Sequence, residues 1–208
     1  MKKQTKLVTA GRNPKANFGI VNPPVYHAST VLFPTVAALD EATANRYDCV
    51  YYGLTGTPTT FALQEAIAEL EGYPHGVAVP SGLAAIVAAL LAFLEKGDHL
   101  LMTDSTYGPT RRFCDGMLKR FGVETTYYDP MIGAGISELM RPQTKVVFTE
   151  APGSLTFEVQ DLPAICQATH AGGAKVILDN TWSAGIYLSA PAMGVDVSVQ
   201  AVTKYIGG

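Results

Sequence analysis

Four short segments combine residue types that can do chemistry with neighbours that would bury them. Lys204 follows Val199-Gln200-Ala201-Val202-Thr203 and precedes a Gly207-Gly208 pair. Most lysines are solvated. One at the end of an apolar strand would be desolvated, which lowers its pKa toward a nucleophilic neutral amine. Asp179 follows Val176-Ile177-Leu178 and opens the run Asp179-Asn180-Thr181-Trp182. A buried carboxylate there is costly unless a cation or several donors meet it, although Asp-Asn-Thr also suits a plain turn or helix cap. In Pro80-Ser81-Gly82-Leu83 a strand passes through a tight turn into a helix. The Gly82 and Leu83 amides, with the helix dipole, suit a phosphate; Ser81 serves equally well as an ordinary N-cap. Tyr107, in Ser105-Thr106-Tyr107-Gly108-Pro109, is either a turn aromatic or a ring laid over a planar ligand, and Trp182 could be core. Together, a phosphate cradle, a buried Asp, an aromatic and a strand-end Lys describe a site for pyridoxal phosphate. In such a site Lys bonds the cofactor through a Schiff base, Asp keeps the pyridine nitrogen protonated, and the aromatic stacks on the ring. Neither G-x-G-x-x-G nor G-x-x-x-x-G-K occurs, which argues against a dinucleotide or a P-loop nucleotide.

These residues need a scaffold that brings strand exits together, and the chain has the grammar for one. Up to residue 57 it is rich in turn formers, with three prolines between residues 23 and 34, and only Val36 to Arg46 reads as a helix. So sparse a segment reads as an arm lying across a neighbouring domain or subunit. From residue 58 to 208 helices and strands alternate. A helix capped by Thr59 or Thr60 runs to Glu71 and ends at Gly72. Gly76 to Val79 reads as a strand. Ser81 to Glu95 is a helix apolar nearly all round, hence buried on most sides. Strands follow at His99 to Met102, Val123 to Tyr128, Val146 to Phe148, Val176 to Leu178 and Val195 to Val202. Helices fall at Pro109 to Phe121, Ile136 to Met140 and Leu162 to His170. Short apolar strands alternating with helices predict an α/β fold, a mostly parallel sheet flanked by helices. Ligands of such sheets bind at the carboxyl ends of the strands, where all four segments lie.

Composition narrows the function classes. The 208 residues are 48% hydrophobic and 16% charged, with a formal net charge of -3. That is ordinary for a globular protein and gives no basic footprint for nucleic acid or an anionic membrane. The longest apolar run, Leu83 to Leu94, is too short to span a bilayer, and the basic start has no apolar stretch behind it. Cys49, Cys114 and Cys166 are odd in number and widely spaced, so they read as free thiols in a reducing cytoplasm rather than as a disulfide or zinc framework.

The sequence resembles the pyridoxal-phosphate-dependent enzymes of Cys/Met metabolism, the family of cystathionine lyases and synthases and methionine γ-lyase. Tyr52-Gly53-Leu54-Thr55-Gly56-Thr57-Pro58-Thr59, Pro80-Ser81-Gly82, Asp179-Asn180-Thr181-Trp182 and Thr203-Lys204-Tyr205-Ile206-Gly207-Gly208 carry the resemblance. Asp129 to Ala134 and Ala151-Pro152-Gly153-Ser154-Leu155 look most like cystathionine β-lyases, since relatives acting at Cγ usually have Asn-Pro in place of Gly153-Ser154. The resemblance implies a fold type I large domain over residues 58–208 with an N-terminal arm over 1–57 making intersubunit contacts. It implies that Lys204 bonds the cofactor and shuttles the proton, Asp179 pairs with the pyridinium, and Tyr107 stacks on the ring. Ser81, the Gly82 and Leu83 amides and the Thr203 hydroxyl would hold the phosphate. Tyr52 would reach the active site of a neighbouring subunit in a homodimer or homotetramer. The implied activity is cleavage of L-cystathionine, a small sulfur amino acid, in cytoplasmic methionine biosynthesis. A γ-acting relative, or a non-catalytic form of the fold, is the alternative.

Two positions depart from the pattern. Where relatives commonly have Tyr-x-Arg, with the Arg on the partner's phosphate, this chain has Leu54. A charge-assisted bond of that type contributes about 1.5–3 kcal/mol where it forms. Ala201 stands where many relatives have Ser, and Arg46, Arg111 and Arg112 are the cations that could compensate. Relatives also continue through a Ser-His-Asp segment into a C-terminal domain supplying an arginine for the substrate carboxylate. The sequence therefore reads as an N-terminal portion, expected to accept cofactor without turning substrate over by itself.

Overall fold

The computed structural model describes residues 2–207 and resolves into two compact units, Met1–Ala78 and Val79–Gly208. The first unit holds α1 (Lys3–Thr9), α2 (Val36–Ala44) and α3 (Pro58–Glu71). Helix α1 lies where no helix is predicted. It buries none of its residues and meets α3 through Lys6 and Glu69, 3.5 Å apart. Thr35 caps α2 by accepting the Ala38 N–H. The cap of α3 is Thr57 rather than Thr59 or Thr60, because Pro58 fits the first helical position. Thr60 completes the cap by accepting the Thr57 N–H at 2.7 Å. Thr59 instead accepts the Tyr26 N–H and donates to the Pro24 carbonyl, tying the proline-rich stretch to α3. Gly72 ends α3 in the left-handed region, φ 87°.

The strand predicted at Gly76 to Val79 does not form. Its Val77 is 83% exposed, and Ala78 donates its N–H to the Gln64 side chain rather than to a ladder. A four-residue apolar run has too little to hold it without a sheet edge beside it.

The second unit carries the sheet. In chain order it contains α4 (Gly82–Phe93), β1 (His99–Thr103), α5 (Gly108–Phe113), β2 (Glu124–Tyr128), β3 (Thr144–Glu150), α6 (Leu162–Ala171), β4 (Lys175–Asp179) and β5 (Val197–Val199). A π-helical turn at Cys114–Leu118 extends α5, and a 3-10 helix at Gly133–Leu139 replaces the predicted α-helix there. The strand order is β2-β1-β3-β4-β5, and every pairing is parallel. Both faces are covered, as near-continuous apolar strands require. Ile86, Leu90 and Leu94 pack with Leu100, Met102, Phe148, Ile177 and Val199 on one face. Ile136 and Ile165 pack with Leu101, Tyr128 and Val147 on the other.

Two details correct the sequence reading. Helix α4 buries only Ile86 and Leu90; Leu91 and Phe93 are exposed because a single face of the helix meets the sheet. Strand β5 stops at Val199 rather than Val202, since the Ala201 N–H goes to the Thr181 hydroxyl and the chain then turns. The three cysteines are free thiols, with Cys114 and Cys166 buried. Among the described residues no helix is long and apolar enough to cross a membrane.

Candidate active site

The order β2-β1-β3-β4-β5 reverses direction between β1 and β3, and such a switch point opens a crevice at the carboxyl ends of the strands. There β1 runs into Asp104 to Tyr107, β3 ends at Glu150, β4 ends at Asp179 and β5 leads to Thr203 and Lys204. Glu150 and Asp179 are register partners on adjacent strands, so their side chains leave the same sheet face, the one α4 covers.

Asp179 occupies the position predicted for it and is only partly open to solvent. Its Oδ1 accepts the Thr181 N–H at 3.1 Å and the Thr181 hydroxyl at 2.6 Å. Burial raises its pKa, with the Thr181 bonds opposing but not reversing the rise. Among the described residues no lysine, arginine or histidine forms a salt bridge with it. Thr181 also accepts the Ala201 N–H at 2.9 Å, and the Ala201 carbonyl accepts the Lys204 N–H at 3.0 Å. One hydroxyl thus joins the Asp179 turn to the turn that carries Lys204.

Lys204 itself is exposed in that turn, so the desolvation expected from its apolar approach is absent. The strand that was to bury it ends five residues earlier. Thr203 is likewise exposed. Trp182 is 46% exposed rather than core, and stacks edge-on with Phe157 and at a tilt with Tyr205.

At the start of α4, Ser81 caps the helix through the Ala84 N–H at 3.1 Å. Gly82 and Leu83 take the first two helical positions, whose amides have no intrahelical acceptor. A Cβ on Gly82 would lie 2.7 Å from the Ala201 Cβ, so the glycine lets this helix end approach the Lys204 turn closely. Ala201 is therefore a packing partner of Gly82 in the position where a Ser was expected. Tyr107 is half-exposed, with its N–H held by Glu150 Oε2 at 2.8 Å.

Glu150 opens one of the strand exits that the sequence marks, Glu150 to Ser154, but sequence reasoning gave it no role. It is 8% exposed, accepts the Thr106 hydroxyl at 3.4 Å besides the Tyr107 amide, and is pushed up to about 7 by burial and by the charge of Asp179. A glutamate closing Val146-Val147-Phe148-Thr149-Glu150 carries the same signal as Asp179, an acid behind an apolar strand.

Of the candidate cations, Arg111 is already engaged. It pairs with Asp104 and lies over the Tyr127 ring at 3.8 Å. Arg112 is exposed on α5. Arg46 belongs to the first unit, where it sits over Tyr47. Tyr52 and Leu54 also belong to that unit. The Tyr52 hydroxyl accepts from Ser29 at 3.4 Å, and Leu54 is 87% exposed.

The donor set fits pyridoxal phosphate. Asp179 is a largely buried carboxylate with no salt bridge among the described residues, the Gly82 and Leu83 amides open α4 without intrahelical acceptors, and Thr181 and Ala201 link Asp179 to the Lys204 turn. Residues 4–208 match the Cys/Met metabolism PLP-dependent enzyme family. The chain belongs to this family. It is 54% identical over 204 residues to a putative cystathionine beta-lyase of Rhizobium johnstonii, covering 98% of this chain and 50% of the relative. It is 46% identical over 210 residues to the cystathionine beta-lyase MetC of Escherichia coli, covering 100% of this chain and 53% of the relative. The crystal structure of metB from Corynebacterium glutamicum superposes with a TM-score of 0.91 at 28% identity, covering all of this chain and 52% of that one. The chain thus spans about half the length of the family members it matches.

Proposed function

We propose that this chain forms the cofactor-binding part of a carbon–sulfur β-lyase that converts L-cystathionine and water to homocysteine, pyruvate and ammonia. The observation that carries the reading is the largely buried Asp179, without a salt bridge among the described residues and linked through Thr181 and Ala201 to the Lys204 turn. Bound pyridoxal phosphate supplies a sink for the electron pair released at the substrate Cα. The residues do the rest. Asp179 accepts a hydrogen bond from a protonated ring nitrogen, a cation that would bring its raised pKa back down. Tyr107 offers a ring to stack. Gly82 and Leu83 amides, with the Ser81 turn and the Thr203 hydroxyl, hold the phosphate at the start of α4. Lys204 Nζ would hold the cofactor, then take the Cα proton and hand a proton to the departing sulfur. Tyr52 acts in the site of a partner subunit within a homodimer or homotetramer.

Elimination at Cβ rather than Cγ is supported by Gly153 as well as by the names of the relatives. Gly153-Ser154 stands where relatives acting at Cγ usually have Asn-Pro. The test is the keto acid released from L-cystathionine by the full protein. Pyruvate is expected, with visible absorption at the cofactor band that disappears in Lys204→Ala. Mainly 2-oxobutyrate would overturn β-elimination, and a protein colourless after incubation with pyridoxal phosphate would overturn the cofactor reading.

A further inference from the structure

Glu150 stands where the sheet changes direction, between the turn leaving β1 and the carboxylate closing β4. Its burial is costly for a carboxylate, and none of the salt bridges among the described residues involves it. Both of its hydrogen-bond donors come from one turn, the Tyr107 amide at 2.8 Å and the Thr106 hydroxyl at 3.4 Å. That turn has other restraints. Ser154 donates its N–H to the Ser105 carbonyl at 2.7 Å, and the Thr103 and Ser105 hydroxyls are 3.1 Å apart. Glu150 is thus unnecessary for closing the turn at its Ser105 end. At the Tyr107 end the carbonyl is held by the Thr110 and Arg111 N–H groups at 2.9 and 3.2 Å, and Glu150 holds the amide, so the carboxylate fixes the side of this half-exposed residue that α5 leaves open.

We propose that Glu150 is a positioning residue that acts through Tyr107: its carboxylate clamps the Thr106–Tyr107 peptide and so sets the direction in which the Tyr107 ring is presented to the cofactor. The inference rests on the cofactor reading above. Glutamate suits the role because its side chain offers the amide an oxygen acceptor whether or not it is ionised, and because β3 supplies a rigid base at the switch point. The register with Asp179 gives it a second consequence. The residue that aims the stacking ring is the direct neighbour of the residue that pairs with the ring nitrogen.

The test uses the full protein and the variants Glu150→Ala, Glu150→Gln and Thr106→Val. Hydrogen exchange over residues 104–111 is read first, without cofactor. Exchange should quicken in Glu150→Ala and stay near wild type in Glu150→Gln, whose amide oxygen still accepts from Tyr107. With pyridoxal phosphate added, the visible circular dichroism band reports how the ring is held. Glu150→Ala should change that band and raise the cofactor Kd roughly tenfold, as one lost bond of this kind would. Glu150→Gln should restore both, and Thr106→Val should give a smaller change in the same direction. If Glu150→Ala cannot be recovered folded, Thr106→Val and Glu150→Gln still decide by the order of their dichroism changes. A yellow wild type whose dichroism and Kd are matched by Glu150→Ala, or by Thr106→Val where Ala is lost, overturns this inference alone. A wild type that stays colourless, yet shows the exchange difference, overturns the cofactor reading and the role of Tyr107 with it.

Discussion

At the scale of single residues, Thr181 has the most to hold. Its hydroxyl donates to Asp179 and accepts from Ala201, so it uses both functions of one oxygen to fix two strand exits. Thr181→Val would leave the Ala201 N–H without its acceptor and strip Asp179 of one donor. An unsatisfied group of this kind costs about 1–3 kcal/mol. The same change removes a bond that holds the Asp179 pKa down, so its carboxyl should titrate still higher. Urea unfolding should therefore show a lower midpoint for Thr181→Val at an unchanged slope, with Thr181→Ser close to wild type. Equal midpoints for Val and Ser would mean that the hydroxyl does not join these turns. Thr181 was hidden in the sequence for a simple reason. The motif Asp179-Asn180-Thr181 names three polar residues, and nothing in their types says which faces its neighbour strand. Asp179 was legible because its apolar approach forces burial, and Glu150 carried that signal too.

At the scale of elements, the contact between the start of α4 and the Lys204 turn depends on two small residues. A Cβ on Gly82 would sit 2.7 Å from the Ala201 Cβ and 3.2 Å from its Cα. Alanine is the better helix former by about 1 kcal/mol. The collision costs about 1–3 kcal/mol, so the net effect of Gly82→Ala should be destabilising. Gly82→Ala combined with Ala201→Gly should recover part of the loss, because the shorter of the two contacts disappears. A double-mutant cycle by thermal unfolding measures that coupling, and strict additivity would show that the helix end does not press on the turn. The elements were read well where burial is two-sided. The strands β1, β3 and β4 follow from apolar runs and breakers, and with them the parallel sheet. They were misread where a partner decides. The run at Gly76 to Val79 lacks a strand to pair with, and β5 ends where a side chain captures the Ala201 amide. Helix α1 has no apolar face to announce it. Lys204 is exposed for the same reason that β5 is short.

At the scale of the whole molecule, its titrating carboxylates pull stability in opposite directions with pH. Asp196 is held low overall. Burial alone would raise it, but the Val176 amide, His170 and Lys175 together outweigh that. Its contribution is present above the ordinary carboxylate pKa and is lost as pH falls through the lowered one. Glu150 and Asp179 behave the other way. Burial raises both, and for Glu150 the charge on Asp179 adds to it. Between the ordinary value of 4.5 and about 7, folded Glu150 keeps a proton that the unfolded chain has released. Stability from this group is therefore complete below 4.5 and declines as pH rises toward 7. Glu150→Gln removes the titration while leaving an acceptor for the Tyr107 amide. The cofactor-free variant should match wild type below pH 4.5 and exceed it above pH 7, by on the order of 2 kcal/mol. Thermal unfolding of both proteins at pH 4 and pH 8, conditions on either side of that window, reads the difference directly. Equal melting temperatures at the higher pH would mean that Glu150 ionises there without cost. A site that is destabilised at neutral pH until a cation arrives is one whose charge balance is completed by its ligand. Under the proposed function, a protonated ring bound beside Asp179 would supply that cation.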